Sequence, residues 1–100
     1  MQRFTTPTHL FNISGVDIKD IDAIRVIYAQ RDKVILVRNM DTITLTGTTA
    51  VVRLTQEETS KFSPGYNVNI QVRIRLKNGH VPEAPIVTTS VEDCLDNEVL

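Results

Sequence analysis

Residues 66–77 alternate apolar and polar side chains along their whole length. The apolar set is Tyr66, Val68, Ile70, Val72, Ile74 and Leu76, and the polar set is Asn67, Asn69, Gln71, Arg73, Arg75 and Lys77. Because successive side chains of a strand point to opposite faces of a sheet, this spacing predicts a long strand with one buried and one solvated face. Such a strand needs neighbouring strands and a second layer to cover its apolar side.

Shorter segments with the composition of strands lie on both sides of this one. They are residues 8–13, 23–30, 33–38, 41–46, 49–54 and 81–91. We expect Ala50, Val52 and Leu54 to face inward, since they share one face of their strand. Pro82 and Pro85 confine the start of the last strand to an edge or irregular position, because proline cannot donate a ladder hydrogen bond.

Tight turns are predicted to join these segments into hairpins. Arg31 and Asp32 form the first turn, although neither is the glycine that usually marks one. Gly47 can take the positive φ that the second turn requires, and Asn78-Gly79 forms the turn before the last strand.

One helical turn is predicted between the fifth and sixth strands. Thr55 and Glu58 have the spacing of a capping box, in which each side chain accepts a hydrogen bond from the other residue's backbone N–H. Residues 63–65 end this turn, and Phe62 is expected to pack beneath the sandwich. Tyr66 then stands where the tyrosine corner of an immunoglobulin-like sandwich would lie. The sequence therefore predicts an all-β fold, an immunoglobulin-like two-sheet β-sandwich of about seven strands.

The length and charge of the chain limit its organisation and its partners. At 100 residues, the chain is predicted to form one sandwich domain over residues 1–100, with residues 1–7 as a loose N-terminal segment. A net charge of −1 provides no overall field for nucleic acid or an anionic membrane. The single Cys94 allows no internal disulfide. With no signal peptide and no transmembrane segment in the sequence, we expect synthesis in the cytoplasm and no membrane partner.

The sequence contains no recognisable catalytic or metal-binding motif. His9 and His80 have no ligand at the spacing of a zinc site. Cys94 has no partner for nucleophilic catalysis, and residues 17–22 lack the order of a calcium loop. Glu57 and Glu58 could be paired catalytic carboxylates, but the capping box already accounts for Glu58. Since no catalytic or metal site is recognisable, we predict that the chain is not an enzyme and uses no cofactor or metal, and the sequence identifies no small-molecule substrate.

Arg73, Arg75 and Lys77 project together from the polar face of the long strand, and we call them the basic ridge. If Lys33 or Arg38 joins them, the ridge could dock an acidic surface of another protein, or more weakly a nucleic-acid backbone. The alternative is a solvated face that prevents edge-to-edge pairing. Nucleic acid is not favoured, because no aromatic residue lies within the ridge to stack on bases.

Several runs of the sequence resemble small β-sandwich proteins encoded among phage and prophage structural genes. They are VRLTQEET at 52–59, FSPG at 62–65 and IQVR at 70–73, supported by AIRVIY at 23–28 and VED at 91–93. The resemblance covers most of residues 8–100. It implies a tail- or baseplate-associated protein that is incorporated into the virion, without catalytic residues. Its partners would be other phage structural proteins or further copies of the chain.

A host-surface or carbohydrate recognition module is the alternative function, since β-sandwiches often bind sugars. The sequence holds two tyrosines, three phenylalanines and no tryptophan. Tyr28, Phe62 and Tyr66 are predicted to face inward, which leaves few aromatic side chains for a sugar platform. An enzyme or regulatory accessory is a third and less favoured reading.

Overall fold

The computed structural model describes residues 1–13 and 15–100. Seven strands, one α-helix and two 3₁₀ turns form from these residues. The strands are β1 (Thr8–Asn12), β2 (Ile21–Gln30), β3 (Lys33–Asn39), β4 (Thr44–Thr46), β5 (Thr49–Arg53), β6 (Val68–Leu76) and β7 (Ile86–Thr89), the helix is α1 (Gln56–Ser60), and the 3₁₀ turns are Ile18–Asp20 and Met40–Thr42.

The strands form two antiparallel sheets, one in the order β1-β5-β4 and the other in the order β3-β2-β6-β7. This confirms the prediction of an all-β two-sheet sandwich with a short helix between the fifth and sixth strands. The order corresponds to strands B-E-D and C′-C-F-G of an immunoglobulin variable domain. No strand of the described chain pairs with the outer edge of β1, where strand A of that arrangement would lie.

The core lies between the two sheets. Ala50, Val52 and Leu54 are fully buried, as their shared strand face predicts. Tyr28 is also fully buried, and its ring lies 6.0 Å from the ring of Phe62, measured between centroids. Each large apolar side chain buried in this way stabilises the fold by about 1.5–3 kcal/mol. Phe62 thus anchors the segment after α1 to the base of the sandwich.

The first hairpin turn contains two residues other than glycine in the left-handed region. Arg31 has φ 52° and Asp32 has φ 64°, the pattern of a type I′ turn. Gln30 pairs with Lys33 across it, so the predicted hairpin is present. Gly47 takes φ 58° in the turn between β4 and β5, also as predicted.

Two predicted strands are shorter in the structure. Residues 41–46 contribute only β4, because the chain first turns at Met40–Thr42, where the Thr42 hydroxyl donates to the Asn39 carbonyl. Such local side-chain bonds compete with a strand ladder. Residues 81–91 contribute only β7, which begins after Pro82 and Pro85. The prolines therefore shorten the strand as well as restricting its start.

The predicted tyrosine corner is wrong. The Tyr66 side chain is 45% exposed, and its ring lies 4.5 Å from the Arg31 guanidinium carbon. Gln30 bridges this corner instead: its amide accepts from the Ser63 N–H at 2.8 Å and donates to the Ser63 carbonyl at 2.9 Å. The same amide donates to the Tyr66 carbonyl at 3.2 Å. The tyrosine precedes β6 and does not share the inward orientation of Val68.

Residues 1–7, predicted to form a loose N-terminal segment, are hydrogen-bonded to two later parts of the chain. The Met1 amino group donates to the Ser90 carbonyl at 2.9 Å and lies 3.0 Å from the Glu92 carboxylate. The Arg3 N–H donates to the Glu92 carbonyl, and the Thr5 N–H donates to the Thr59 hydroxyl. These bonds tie the segment to the chain that follows β7 and to α1.

Candidate partner-binding surface

The basic ridge lies on the outer face of the four-stranded sheet, where all three side chains are exposed. Arg75 is paired: its Nη2 lies 2.7 Å and its Nε 2.8 Å from the Asp22 carboxylate on β2. Lys77 follows the end of β6, and its N–H donates to the Asp20 carbonyl. The ridge therefore contains one neutralised arginine between two other cationic residues.

Arg25 is the residue that the sequence-based prediction missed. It lies on β2 directly opposite Arg73 on β6. Among residues 1–13 and 15–100, no carboxylate lies within ion-pair distance of either guanidinium. The Arg25 Nε donates only to the Asn39 side-chain oxygen, at 3.3 Å. We call Arg25 and Arg73 the arginine pair. Like charges directly opposite each other on a sheet repel each other.

Lys33 and Arg38 do not extend the ridge. Both lie on β3, which β2 separates from β6. The Arg38 Nη1 lies 2.6 Å from the Glu58 carboxylate, and both side chains are mostly buried. Glu58 also accepts from the Thr55 N–H, and the Thr55 hydroxyl accepts from the Glu58 N–H, which confirms the capping box. Arg38 therefore holds α1 against the sandwich and is not available to a partner.

Apolar side chains lie beside the arginine pair on the same sheet face. The row next to it runs across the four strands as Val37, Ile27, Gln71 and Ile86. Val37 and Ile86 are exposed. On the other side, Met40 and Val81 line a shallow hollow of about 380 Å³ that also contains both arginines. Arginine with flanking apolar side chains is the composition enriched at protein–protein interfaces.

A second surface feature is a cleft at the open side of the sandwich. It has a volume of about 750 Å³ and lies between β1 and the segment that leads into β7. Apolar side chains of both sheets line its interior: Phe11, Ile13, Ile70, Val72 and Ile74. Glu83, at its rim, is the only ionisable lining residue besides His9 among the described residues.

His9 lines this cleft and bonds to the core. Its Nδ1 lies 2.8 Å from the Tyr28 hydroxyl, and burial lowers the pKa of His9. Burial also raises the pKa of Tyr28 above that of a free tyrosine. Within residues 1–13 and 15–100, no group of three or more His, Cys, Asp or Glu side chains is placed to hold a metal ion.

The other polar candidates have local bonding roles. The Asp17 carboxylate accepts from the Lys19 N–H and caps the 3₁₀ turn Ile18–Asp20. Cys94 carries a half-buried free thiol in the segment after β7, and its N–H donates to the Asp93 carboxylate. His80 is exposed, and its N–H donates to the Asn78 side chain in the predicted turn.

No family model, curated protein or solved structure significantly matches the chain. No helix in the described part of the chain is both long and apolar enough to cross a membrane.

Proposed function

We propose that this chain is a non-enzymatic structural or assembly component of a phage or prophage particle, associated with the tail or baseplate. It acts by docking an acidic surface of another particle protein on the outer face of the four-stranded sheet. The observation that carries this proposal is the arginine pair, Arg25 opposite Arg73 without a carboxylate partner among the described residues. The resemblance of residues 52–73 to phage-encoded β-sandwich proteins supports the particle setting.

The arginine pair favours an acidic protein partner for a physical reason. Two guanidinium groups opposite each other destabilise the isolated sheet by roughly 0.2–1 kcal/mol. A carboxylate bound between them would remove this repulsion and form bidentate hydrogen bonds with the planar groups. The adjacent row of Val37, Ile27 and Ile86 would be buried by the same partner. The outer face of the four-stranded sheet would thus bind the partner through both charged and apolar side chains.

The test is incorporation into particles. The wild-type chain and an Arg73→Glu variant are expressed in the host that encodes them, particles are purified after induction, and the chain is quantified by mass spectrometry. We expect the variant to be depleted at least about tenfold, which corresponds to about 1.4 kcal/mol of lost binding free energy. Lys61→Glu is the matched control, because it reverses an exposed charge after α1, away from this face. Particles without the wild-type chain would contradict the particle role, and equal depletion of both variants would contradict the docking face.

Carbohydrate recognition is a second candidate that one observation favours. Tyr66, predicted to face inward, is exposed, and Arg31 lies over its ring at 4.5 Å. Its aromatic surface is therefore partly available at the protein surface, and aromatic rings are common sugar contacts. A glycan array checks this candidate: binding that is lost in Tyr66→Ala and kept in Arg73→Glu would favour it over the docking role.

A further inference from the structure

At the outer edge of β1, the backbone groups of Thr8 and Leu10 are not paired with any strand of the described chain. The Leu54 N–H donates to the Pro7 carbonyl and the Ile13 N–H donates to the Thr48 carbonyl. These bonds set the alternation of the ladder, so the backbone groups of His9 and Phe11 face β5. The N–H and C=O groups of Thr8 and Leu10 therefore point away from β5. No other strand of the described chain pairs with them.

This edge also lacks the features that usually prevent strand addition. The strand Thr8–Asn12 contains no charged residue, no proline and no register shift. The other edges differ, since β3 carries Lys33 and Arg38, β4 has three residues, and β7 has four residues preceded by prolines. The Leu10 side chain on the outer face of β1 is 67% exposed. Of the strand edges described, β1 is the one best suited to accept another strand.

The cleft would receive the side chains of an added strand. A strand paired with β1 points every second side chain inward, between the sheets. There the cleft of about 750 Å³ presents Phe11, Ile70, Val72 and Ile74. Its interior is mostly apolar and also contains His9, so most of the inward side chains of the added strand should be apolar. In strand addition of this kind, the backbone bonds give affinity and the inward side chains give specificity.

Residues 94–100 match these requirements. They have no regular secondary structure, and they carry the two most exposed apolar side chains of the described chain, Leu95 at 107% and Leu100 at 97%. Leu95, Asn97 and Val99 alternate with Asp96 and Glu98. As a strand, this segment would span roughly 23 Å, enough to cover the roughly 17 Å of β1. Within residues 1–13 and 15–100, the hydrogen bonds that join this segment to the sandwich body are two exposed bonds between the Leu100 backbone and the Gln56 side chain.

We propose that residues 94–100 of one copy add to the β1 edge of a second copy as an extra strand, with Leu95 and Val99 inserted into its cleft and Asn97 between them on the same face. Asp96 and Glu98 then face solvent beside Leu10. Donor and acceptor surfaces differ, so the contact is heterologous and builds a ring or a filament of copies. This self-association goes beyond the proposed docking role and holds whether or not the chain enters a phage particle.

Sedimentation equilibrium of the full chain, up to about 1 mM, tests the proposal. We expect the wild type to associate in a concentration-dependent manner. Leu95→Asp should raise the dissociation constant at least about tenfold, since it places a charge in the apolar cleft. Leu100→Asp is the matched control: it makes the same change at a similarly exposed site of opposite strand parity, so association should stay within about twofold of wild type. Neither side chain is buried in the single chain, so the fold is not at risk.

Leu10→Pro tests the acceptor edge. It removes an N–H that makes no bond to β5, and should raise the dissociation constant to a similar extent, with an unchanged circular dichroism spectrum. If that variant misfolds, a nitroxide on Cys94 gives the same information. A chain without isotope label that carries the nitroxide on Cys94 is mixed with an isotope-labelled Cys94→Ser chain. In the NMR spectrum of the isotope-labelled chain, the amide signals of Thr8 and Leu10 should broaden because the nitroxide lies near them.

Each contrary result is decisive. A wild-type chain that stays monomeric overturns the proposal, as does equal weakening by Leu95→Asp and Leu100→Asp, which indicates unspecific apolar contact. Loss of association in Leu10→Pro alone indicates pairing of two β1 strands and also overturns it. Normal self-association with no incorporation into particles would contradict the particle role and leave this contact standing.

Discussion

The imidazole of His9 and the hydroxyl of Tyr28 form a hydrogen bond of 2.8 Å that joins the two sheets through their interior. His9 lies on β1 and Tyr28 on β2, so the bond crosses the sandwich. The buried tyrosine keeps its proton, because burial raises its pKa, and its hydroxyl is hydrogen-bonded to Nδ1 of the imidazole. Burial lowers the pKa of His9, and the positive charge of the N-terminal amino group lowers it further. The folded state therefore favours the neutral histidine.

We expect the domain to lose stability as the pH falls below about 6.5. The unfolded chain binds a proton at His9 near its ordinary pKa of 6.5, whereas the folded chain binds it only at lower pH. Between these two values the unfolded state holds more protons, so the free energy of unfolding decreases as the pH falls. Urea unfolding between about pH 8 and about pH 5 measures this dependence.

His9→Gln should flatten the pH dependence in this window, and the exposed His80→Gln should preserve it. Glu92 and Asp93 act at lower pH. The Ser90 hydrogen bond lowers the pKa of Glu92 from 4.5, and the Arg3 hydrogen bond lowers the pKa of Asp93 from 3.8. Their stabilising effect is present above these values and is lost as the pH falls further. If the free energy of unfolding of His9→Gln kept the same slope against pH near pH 6, His9 would not be the group responsible for this pH dependence.

Gln30→Leu should destabilise the domain by about 2–4 kcal/mol. The leucine keeps most of the side-chain volume but leaves the Ser63 N–H and the Ser63 and Tyr66 carbonyls without their partner. Tyr66→Ala should cost at most about 1 kcal/mol, because its ring is exposed and loses mainly the contact with Arg31. Chemical denaturation of both variants decides the point: a larger loss at Tyr66 would restore the tyrosine as the residue that holds this corner.

Glu58→Ala should destabilise the domain by about 1–2 kcal/mol, because one carboxylate serves two partners. It accepts from the Thr55 N–H at 2.9 Å and from Arg38 at 2.6 Å. Glu57→Ala is the control, since Glu57 is exposed in the same helical turn. Thermal unfolding followed by circular dichroism measures both. Equal melting temperatures for the two variants would show that the link between α1 and β3 does not contribute.

Arg73→Glu should stabilise the isolated domain by about 0.2–1 kcal/mol, because it replaces repulsion across from Arg25 with attraction. Arg75→Glu should have the opposite sign, since it breaks the pair with Asp22 and places two acids together. Urea unfolding at low salt measures both changes, and added salt should reduce them. An unchanged stability of the Arg73→Glu variant would mean that the guanidinium groups do not interact, and a destabilised variant would mean that Arg73 makes a favourable contact in the isolated domain. Stabilisation together with weaker docking would show that the arginine pair is retained for binding.

The side-chain pattern of the sequence was sufficient to predict the strands and their buried faces. Residues 66–77 alternate strictly, and Ala50, Val52 and Leu54 share one face of their strand; Val68, Ile70 and Val52 are buried as these patterns require. The orientation of Tyr66 was harder to predict, because a tyrosine before a strand indicates an inward orientation only by analogy with the tyrosine corner of immunoglobulin domains. The bond from Gln30 to Ser63 joins positions far apart in sequence, and no local pattern distinguishes this glutamine from an exposed one.

The location of the candidate surface was predicted from the sequence, but which of its basic side chains are paired with a carboxylate was not. Alternation places Arg73 and Arg75 on one outer face, which the structure shows. Which of them is neutralised depends on the strand beside β6 and on its register. Arg25 faces the same way as Arg73 because β2 pairs with β6 in that register, while Asp22 is within reach of Arg75. Pairing between distant strands is set by the whole fold, so sequence spacing alone could not identify the arginine pair.

Strand β2 pairs with β3, which is close in sequence, and with β6, which is distant, and these pairings set the time that the chain needs to fold. Its hairpin with β3 closes through two residues and should form in about 1–10 μs. Its ladder with β6 must wait for all the intervening chain, including the second hairpin and α1, to be brought into place. The β1–β5 ladder also joins distant parts of the sequence. Sandwiches dominated by such distant pairings fold in roughly milliseconds to seconds. We therefore expect hairpins that form and open many times before β2 finds β6.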